Sequence, residues 1–149
     1  MRRDQPNKES EALAEVRAVY ADLARRPAER SCVRSTGCCQ FRMTGRTPQV
    51  TRGEAVLAAR AFRATGRKAL PVRDDGACPL LRLDGGCLIY HDRPFGCRTH
   101  FCGEAGGVIP RSEVVDLIRR LESVDARMGG AGPRALEAYL ADELDRLAK

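Results

Sequence analysis

Tryptophan is absent from this 149-residue chain, and tyrosine and phenylalanine supply only three and four residues. A core built from this sequence therefore rests on Ala, Leu and Val rather than on rings. Histidine occurs twice, and lysine supplies three of the 26 basic residues, the rest being arginine. No apolar run approaches the ~20 residues needed to cross a bilayer, which excludes a membrane-spanning class. The first residues, Met1-Arg2-Arg3-Asp4, are charged, but no apolar stretch follows them, so no export signal is expected. The expectation is a reducing, cytoplasmic setting, in which structural disulfides are rare. Internal repeats and low-complexity tracts are also lacking. So are the paired CxxC knuckles of a zinc ribbon and the C-x2-C-x2-C run of a ferredoxin.

What is abundant, for a chain so poor in aromatics, is cysteine: seven residues. The odd number agrees with the absence of an export signal in arguing against a disulfide framework. The net charge of +6 is unevenly spread. Residues 30–100 hold 13 Lys+Arg against 5 Asp+Glu, and residues 101–149 hold 7 against 9. The positive surplus thus lies with the cysteines.

The length suits a single domain over residues 1–149. Leu13, Val16, Tyr20 and Leu23 recur at helical spacing and predict an amphipathic helix over 9–26, ended by Pro27. Thr51 followed by Glu54 is a capping box, opening a helix that runs to about Thr65 and closes at Gly66. After Pro110, a stripe of Val114, Leu117, Leu121, Val124 and Met128 predicts a third helix, stopped by Gly129-Gly130. After Pro133, Leu136, Leu140, Leu144 and Leu147 predict a fourth. The last two are expected to form a helical hairpin over about 110–148, on which a second copy of the chain could pack as a homodimer. Pro79–Leu83 and Cys87–Tyr90 flank Asp84-Gly85-Gly86, the pattern of a short β-hairpin. The expected fold is mainly α with a small β-hairpin, four helices surrounding a loop-rich cysteine region at about 28–109.

The cysteines form two groups, Cys32-x5-Cys38-Cys39 and Cys78-x8-Cys87-x9-Cys97-x4-Cys102. All lie in the two irregular segments and none on the four helical stripes. Cysteines serving as small core hydrophobes would be scattered through the periodic elements. Soft thiolates gathered in loops instead suit zinc or iron, the latter mononuclear or as an iron–sulfur cluster. A structural zinc site contributes about 10–16 kcal/mol of apparent binding energy, comparable with the whole stability of a domain. Any four-ligand site must draw on both groups. His100, inside Cys97-x2-His100-x-Cys102, is within ligand range or could orient a ligand from behind; His91 reads as a turn residue. Arg93 and Arg98 flank Cys97 and would either lower thiol pKa values or pair with acids such as Asp92.

These motifs resemble the YkgJ-type cysteine-cluster family, a zinc- or iron-chelating domain named for a CxxCxxCC motif. Cys32, Cys38 and Cys39 match the first, third and fourth cysteines of that motif. Cys78-Pro79 with Leu80 and Leu81, then Cys87-Leu88-Ile89-Tyr90, Arg93-Pro94 and Cys97-Arg98, match its second half, with Cys102 where many members carry a further cysteine. Ser35 stands where the motif has its second cysteine. A neutral hydroxyl is a poor ligand beside a thiolate, and seven thiols cannot close two all-cysteine sites of four. The resemblance implies a metal site drawn from Cys32, Cys38, Cys39, Cys78, Cys87, Cys97 and Cys102. Cys32, Cys87 and Cys97 stand in the most motif-like contexts; Cys38 and Cys39 are not separated.

Two other functions are compatible with the sequence, and a third finds no support in it. An iron–sulfur oxidoreductase or modifying enzyme would use the same thiols, with a substrate the sequence does not name. A zinc-stabilised nucleic-acid binder would use Arg42, Arg46, Arg52, Arg60, Arg63 and Arg67, although no basic run is interleaved with aromatics. A cysteine nucleophile would need a partnered histidine in a recognisable setting, which is not found.

Overall fold

Helix α1 runs over Asp4–Arg25, about three turns of which carry the expected apolar stripe into the interior: Leu13, Val16, Val19, Tyr20 and Leu23 are all buried. The structure is a computed structural model that describes residues 4–26, 48–71, 73–74, 77–82, 86–99 and 109–148. The chain is mostly helical, with a two-stranded antiparallel sheet. Strand β1 (Gln49–Val50) leads into α2 (Arg52–Ala64). A 3-10 turn (Tyr90–Asp92) precedes the short α3 (Phe95–Thr99). A second 3-10 turn (Arg111–Glu113) opens α4 (Val115–Arg127), and β2 (Arg134–Ala135) feeds α5 (Leu136–Ala148).

Helix α2 is the centre of the fold, and its sequence allows burial on more than one side. Val56 and Leu57 join the α1 and α4 residues Val16, Val19, Leu117 and Val124 in one apolar cluster. Ala55, Ala58, Ala59 and Phe62 join Leu136, Tyr139, Leu140 and Leu144 of α5 in another. The alanines keep the α2–α5 separation small, so the two helices meet closely without aromatic filling. The start of α2 is closer still to its neighbours. A Cβ on Gly53 would lie 2.8 Å from Val16 Cγ2 and 3.0 Å from Val124 Cγ1, both in the dry interior.

This centre opens the helical hairpin expected at 110–148. Helix α4 packs chiefly on α1, and α5 chiefly on α2. The apolar stripes of α4 and α5 are real, but each finds an upstream helix instead of the other. Gly129, at φ +77°, turns the chain out of α4, a conformation that glycine adopts without strain. The buried Asp125 carboxylate then fastens this turn to α2, accepting the Arg52 N–H at 2.8 Å and the Gly132 N–H at 2.9 Å. It thereby satisfies an orphan donor at the α2 N-terminus with charge of the favourable sign.

Strands β1 and β2 pair Gln49 with Ala135 and Val50 with Arg134, and the Leu136 N–H donates to the Pro48 carbonyl at 2.9 Å. The pairing locks together the starts of α2 and α5. Of the hairpin expected between residues 79 and 90, the described residues carry one antiparallel bridge, Leu81 with Cys87; residues 83–85 lie outside them. A further difference is α3, which occupies part of the segment read as irregular. Among the described residues, no helix is long and apolar enough to cross a membrane.

The α1–α4 seam is closed by charge at its edge. Arg120 holds Glu15 at 2.7 Å and Asp22 at 2.6 Å, and Arg26 holds Asp116. The Arg120 guanidinium keeps the Asp22 carboxyl below its ordinary range, and Arg26 does the same for Asp116. A carboxyl lowered by folding adds stability above its unfolded pKa of about 3.9, and that share is lost as pH falls through the folded value. Thermal melts should therefore show an acid loss below about pH 4 that flattens in Arg120→Ala. An equally steep loss in the variant would assign it to other groups.

Candidate metal centre

Cys78 opens a tight turn in which the Leu81 N–H donates to the Cys78 carbonyl at 3.0 Å and the Leu80 N–H reaches the Cys78 sulfur. The chain then runs through Leu81 and returns at Cys87. On either side of the Leu81–Cys87 bridge, the Arg82 N–H donates to the Gly86 carbonyl at 2.7 Å and the Leu88 N–H to the Leu80 carbonyl at 2.9 Å. This return brings Cys87 near enough to Cys78 that a thiolate on one raises the pKa of the other. Burial is the larger influence and pushes the Cys78 thiol up to about 12, while the Leu80 N–H and Arg73 pull it down. Cys78 therefore rests as a thiol, and a soft metal ion would have to displace its proton.

Cys97 reaches the same part of the molecule by another route. Pro94 and Phe95 are buried, and the Cys97 N–H donates to the Pro94 carbonyl at 3.0 Å, starting α3. Cys97 and Cys87 are half-buried, and both pack against the apolar cluster that contains Cys78, Leu80, Ile89 and Phe62. Residues 78, 87 and 97 thus converge on one core although they lie on a turn, a bridge and a helix.

The arginines beside Cys97 serve mainly as clamps. Arg98 Nε donates to the Arg93 carbonyl at 2.7 Å and Arg98 Nη2 to the His91 carbonyl at 2.8 Å. Its guanidinium also sits 4.1 Å above the centre of the Tyr20 ring. Arg98 feels the negative charge of Asp92 and, less strongly, that of a Cys97 thiolate, so both alternatives read from the sequence bear on it. Arg93 donates to the Tyr90 carbonyl at 3.0 Å and covers the Tyr90 ring at 4.1 Å. His91 is exposed at the 3-10 turn, edge-on to Tyr90.

Beneath α3 lies Glu54, the residue whose importance the sequence understated. Its Oε2 accepts the Thr51 N–H at 2.8 Å and the Thr51 hydroxyl at 2.9 Å, completing the expected capping box. Its Oε1 accepts the Phe95 N–H at 2.7 Å and the Tyr20 hydroxyl at 3.3 Å. Burial pushes the Glu54 carboxyl above its ordinary pKa, and these four donors pull it back. Tyr20, read from sequence only as part of a stripe, is raised by its own burial and by Glu54. The Glu at the third helical position was readable; its second set of partners, 34 and 41 residues away, was not.

Cys32, Cys38, Cys39, Cys102, His100 and Ser35 lie outside the described residues. Among the described residues, no three of His, Cys, Asp and Glu come together closely enough to hold a metal ion. Cys78 and Cys87 are a pair of suitable soft donors, and Cys97 stands on the other flank of the same core. A closed site accordingly needs donors from the remaining cysteines.

Of the six arginines considered for nucleic acid, Arg42 and Arg46 lie outside the described residues, and Arg52, Arg60 and Arg63 are engaged within the fold. Arg52 lies 3.7 Å from Glu143 and donates to the Met128 carbonyl; Arg60 pairs with Glu9 at 2.8 Å; Arg63 donates to the Leu147 carbonyl at 2.8 Å. A cavity of about 310 Å³ opens beside α3, walled largely by Phe95, Ile109, Val114, Ile118 and Leu121. Arg111 and Glu122 line it and pair with each other at 3.9 Å. Compared with known protein families, characterised proteins and solved structures, the chain has no match.

Proposed function

We propose that this protein binds a metal ion, zinc or iron, through cysteine thiolates contributed by two segments of the chain. The observation that carries the reading is the approach of Cys87 to Cys78 across the Leu81–Cys87 bridge, with Cys97 against the same core. The turn, bridge and short helix that carry the three thiols are anchored in the interior by Leu80, Leu81, Ile89 and Phe95, which holds the thiols in place from the protein side. Cys32, Cys38, Cys39 and Cys102 supply the further donors in this reading, with His100 as an alternative or supporting ligand. Zinc in a closed thiolate site would be structural; an iron–sulfur cluster would add electron-transfer chemistry, the route by which the chain could be an oxidoreductase. The resemblance to YkgJ-type domains points the same way, and a cytoplasmic setting would keep the thiols reduced.

The test is the metal content and visible absorption of protein purified without oxygen. Stoichiometric zinc in a colourless protein supports a structural zinc site. Stoichiometric iron with thiolate-to-iron charge-transfer bands supports the cluster. Protein that is folded, fully reduced and unable to take up either metal would refute the reading.

A further inference from the structure

We propose that Glu54 is the positioning residue for Cys97, coupling the thiol-bearing helix α3 to the packed centre of the fold. Two backbone donors fixed in direction point at this one side chain from different elements: the Thr51 N–H at 2.8 Å on Oε2 and the Phe95 N–H at 2.7 Å on Oε1. A carboxylate presents an acceptor to each. Glutamine presents one carbonyl oxygen, so its amide NH2 would confront one of the two N–H groups. Aspartate, shorter by one methylene, would not span the same gap.

Helix α3 depends on this contact because it is only five residues long and cannot stabilise itself by propagation. Its first N–H is held by Glu54, and its fourth residue, Arg98, is held over Tyr20, which also donates to Glu54. Cys97 lies between these two anchors. The second buried glutamate, Glu143, serves as a natural control. It too is buried, but its ion pairs are with Arg52 and Arg146, on α2 and α5.

The proposal rests on the reading of Cys97 as a ligand only for its consequence in metal binding; the positioning itself is testable in metal-free protein. Full-length, reduced, metal-free protein is alkylated with iodoacetamide, and mass spectrometry reads Cys97 against Cys78. Glu54→Gln is expected to raise the Cys97:Cys78 labelling ratio about tenfold or more with unchanged circular dichroism, while Glu143→Gln leaves it unchanged. An unchanged ratio in folded Glu54→Gln overturns the proposal, as does an equal rise in Glu143→Gln. Should Glu54→Gln fail to fold, Tyr20→Phe removes one donor from Oε1 and keeps the ring under Arg98. It should raise the ratio about threefold, and no rise would overturn the proposal. Zinc titration of the same proteins separates the two ideas. Failure of the wild type to bind zinc counts against the zinc form of the metal reading and not against the positioning role, whereas wild-type binding that Glu54→Gln retains at full affinity counts against the positioning role.

Discussion

Replacing Cys87 by serine is expected to weaken zinc binding by about two orders of magnitude. A thiolate site of four ligands contributes about 10–16 kcal/mol of apparent binding energy at neutral pH. An even share is about 2.5–4 kcal/mol per ligand, and about 1.4 kcal/mol corresponds to a tenfold change. The serine hydroxyl is nearly isosteric but stays protonated, so it does not restore that share. Cys78→Ser should have a similar effect, and the double variant should lose far less than the sum of the two. Two ligands of one ion act as a unit, and removing the first already forfeits much of what the second supplies. The measurement is competitive zinc titration of the four proteins of the cycle. Strict additivity would place Cys78 and Cys87 at separate sites, and wild-type affinity in folded Cys87→Ser would remove Cys87 from any site. The thermal midpoint gives an independent check. Zinc at about 100 times its dissociation constant should stabilise the wild type by about 2.7 kcal/mol, and the variant should show little of this gain.

Phe62→Ala should cost about 3–5 kcal/mol of folding stability, the largest effect expected of a substitution away from the cysteines. Phe62 is fully buried where α2 meets α5. The chain has few rings, and the alanines that allow the close α2–α5 approach cannot expand into the space a ring leaves. The loss combines lost transfer energy with a cavity that the rigid helix pair closes only in part. Against a typical total of about 5–15 kcal/mol it is a large fraction. Urea unfolding should show the midpoint falling at an unchanged slope. Leu147→Ala, on the same α5 stripe but 37% exposed, should fall within about 0.5 kcal/mol of the wild type. Similar losses for both would contradict the burial described. Because Cys78 belongs to the Phe62 cluster, the variant should also label faster at Cys78, so that core packing and the thiol pair respond together.

Features that depend on neighbours in the chain were legible before the fold was known. Thr51 and Glu54 meet because a helix start places the third residue over its own cap. The stripes of α1, α4 and α5 follow from helical periodicity and are buried as expected, with Leu147 in the last turn of α5 more open. Helix α3 was not legible, since five residues after Pro94 carry too short a pattern to register. The β1–β2 pair escaped notice for a different reason: two residues on each side, joined across 84 or more positions, leave no local trace. The expected C-terminal hairpin failed because an apolar stripe specifies that a face is buried and not what buries it.

The sequence by itself determined a mainly helical chain with Cys78, Cys87 and Cys97 outside the long helices, because periodicity, caps and cysteine spacing are written locally. Tertiary structure alone decided which helices meet, the packing of Cys97 against the core that holds Cys78, and the second set of bonds made by Glu54. Those depend on which surfaces can be buried together and on which distant backbone donors must then find an acceptor. The carboxylate that caps its own helix through the Thr51 N–H also satisfies the Phe95 N–H 41 residues on and the Tyr20 hydroxyl, and that choice is made only when α1, α2 and α3 are packed against one another.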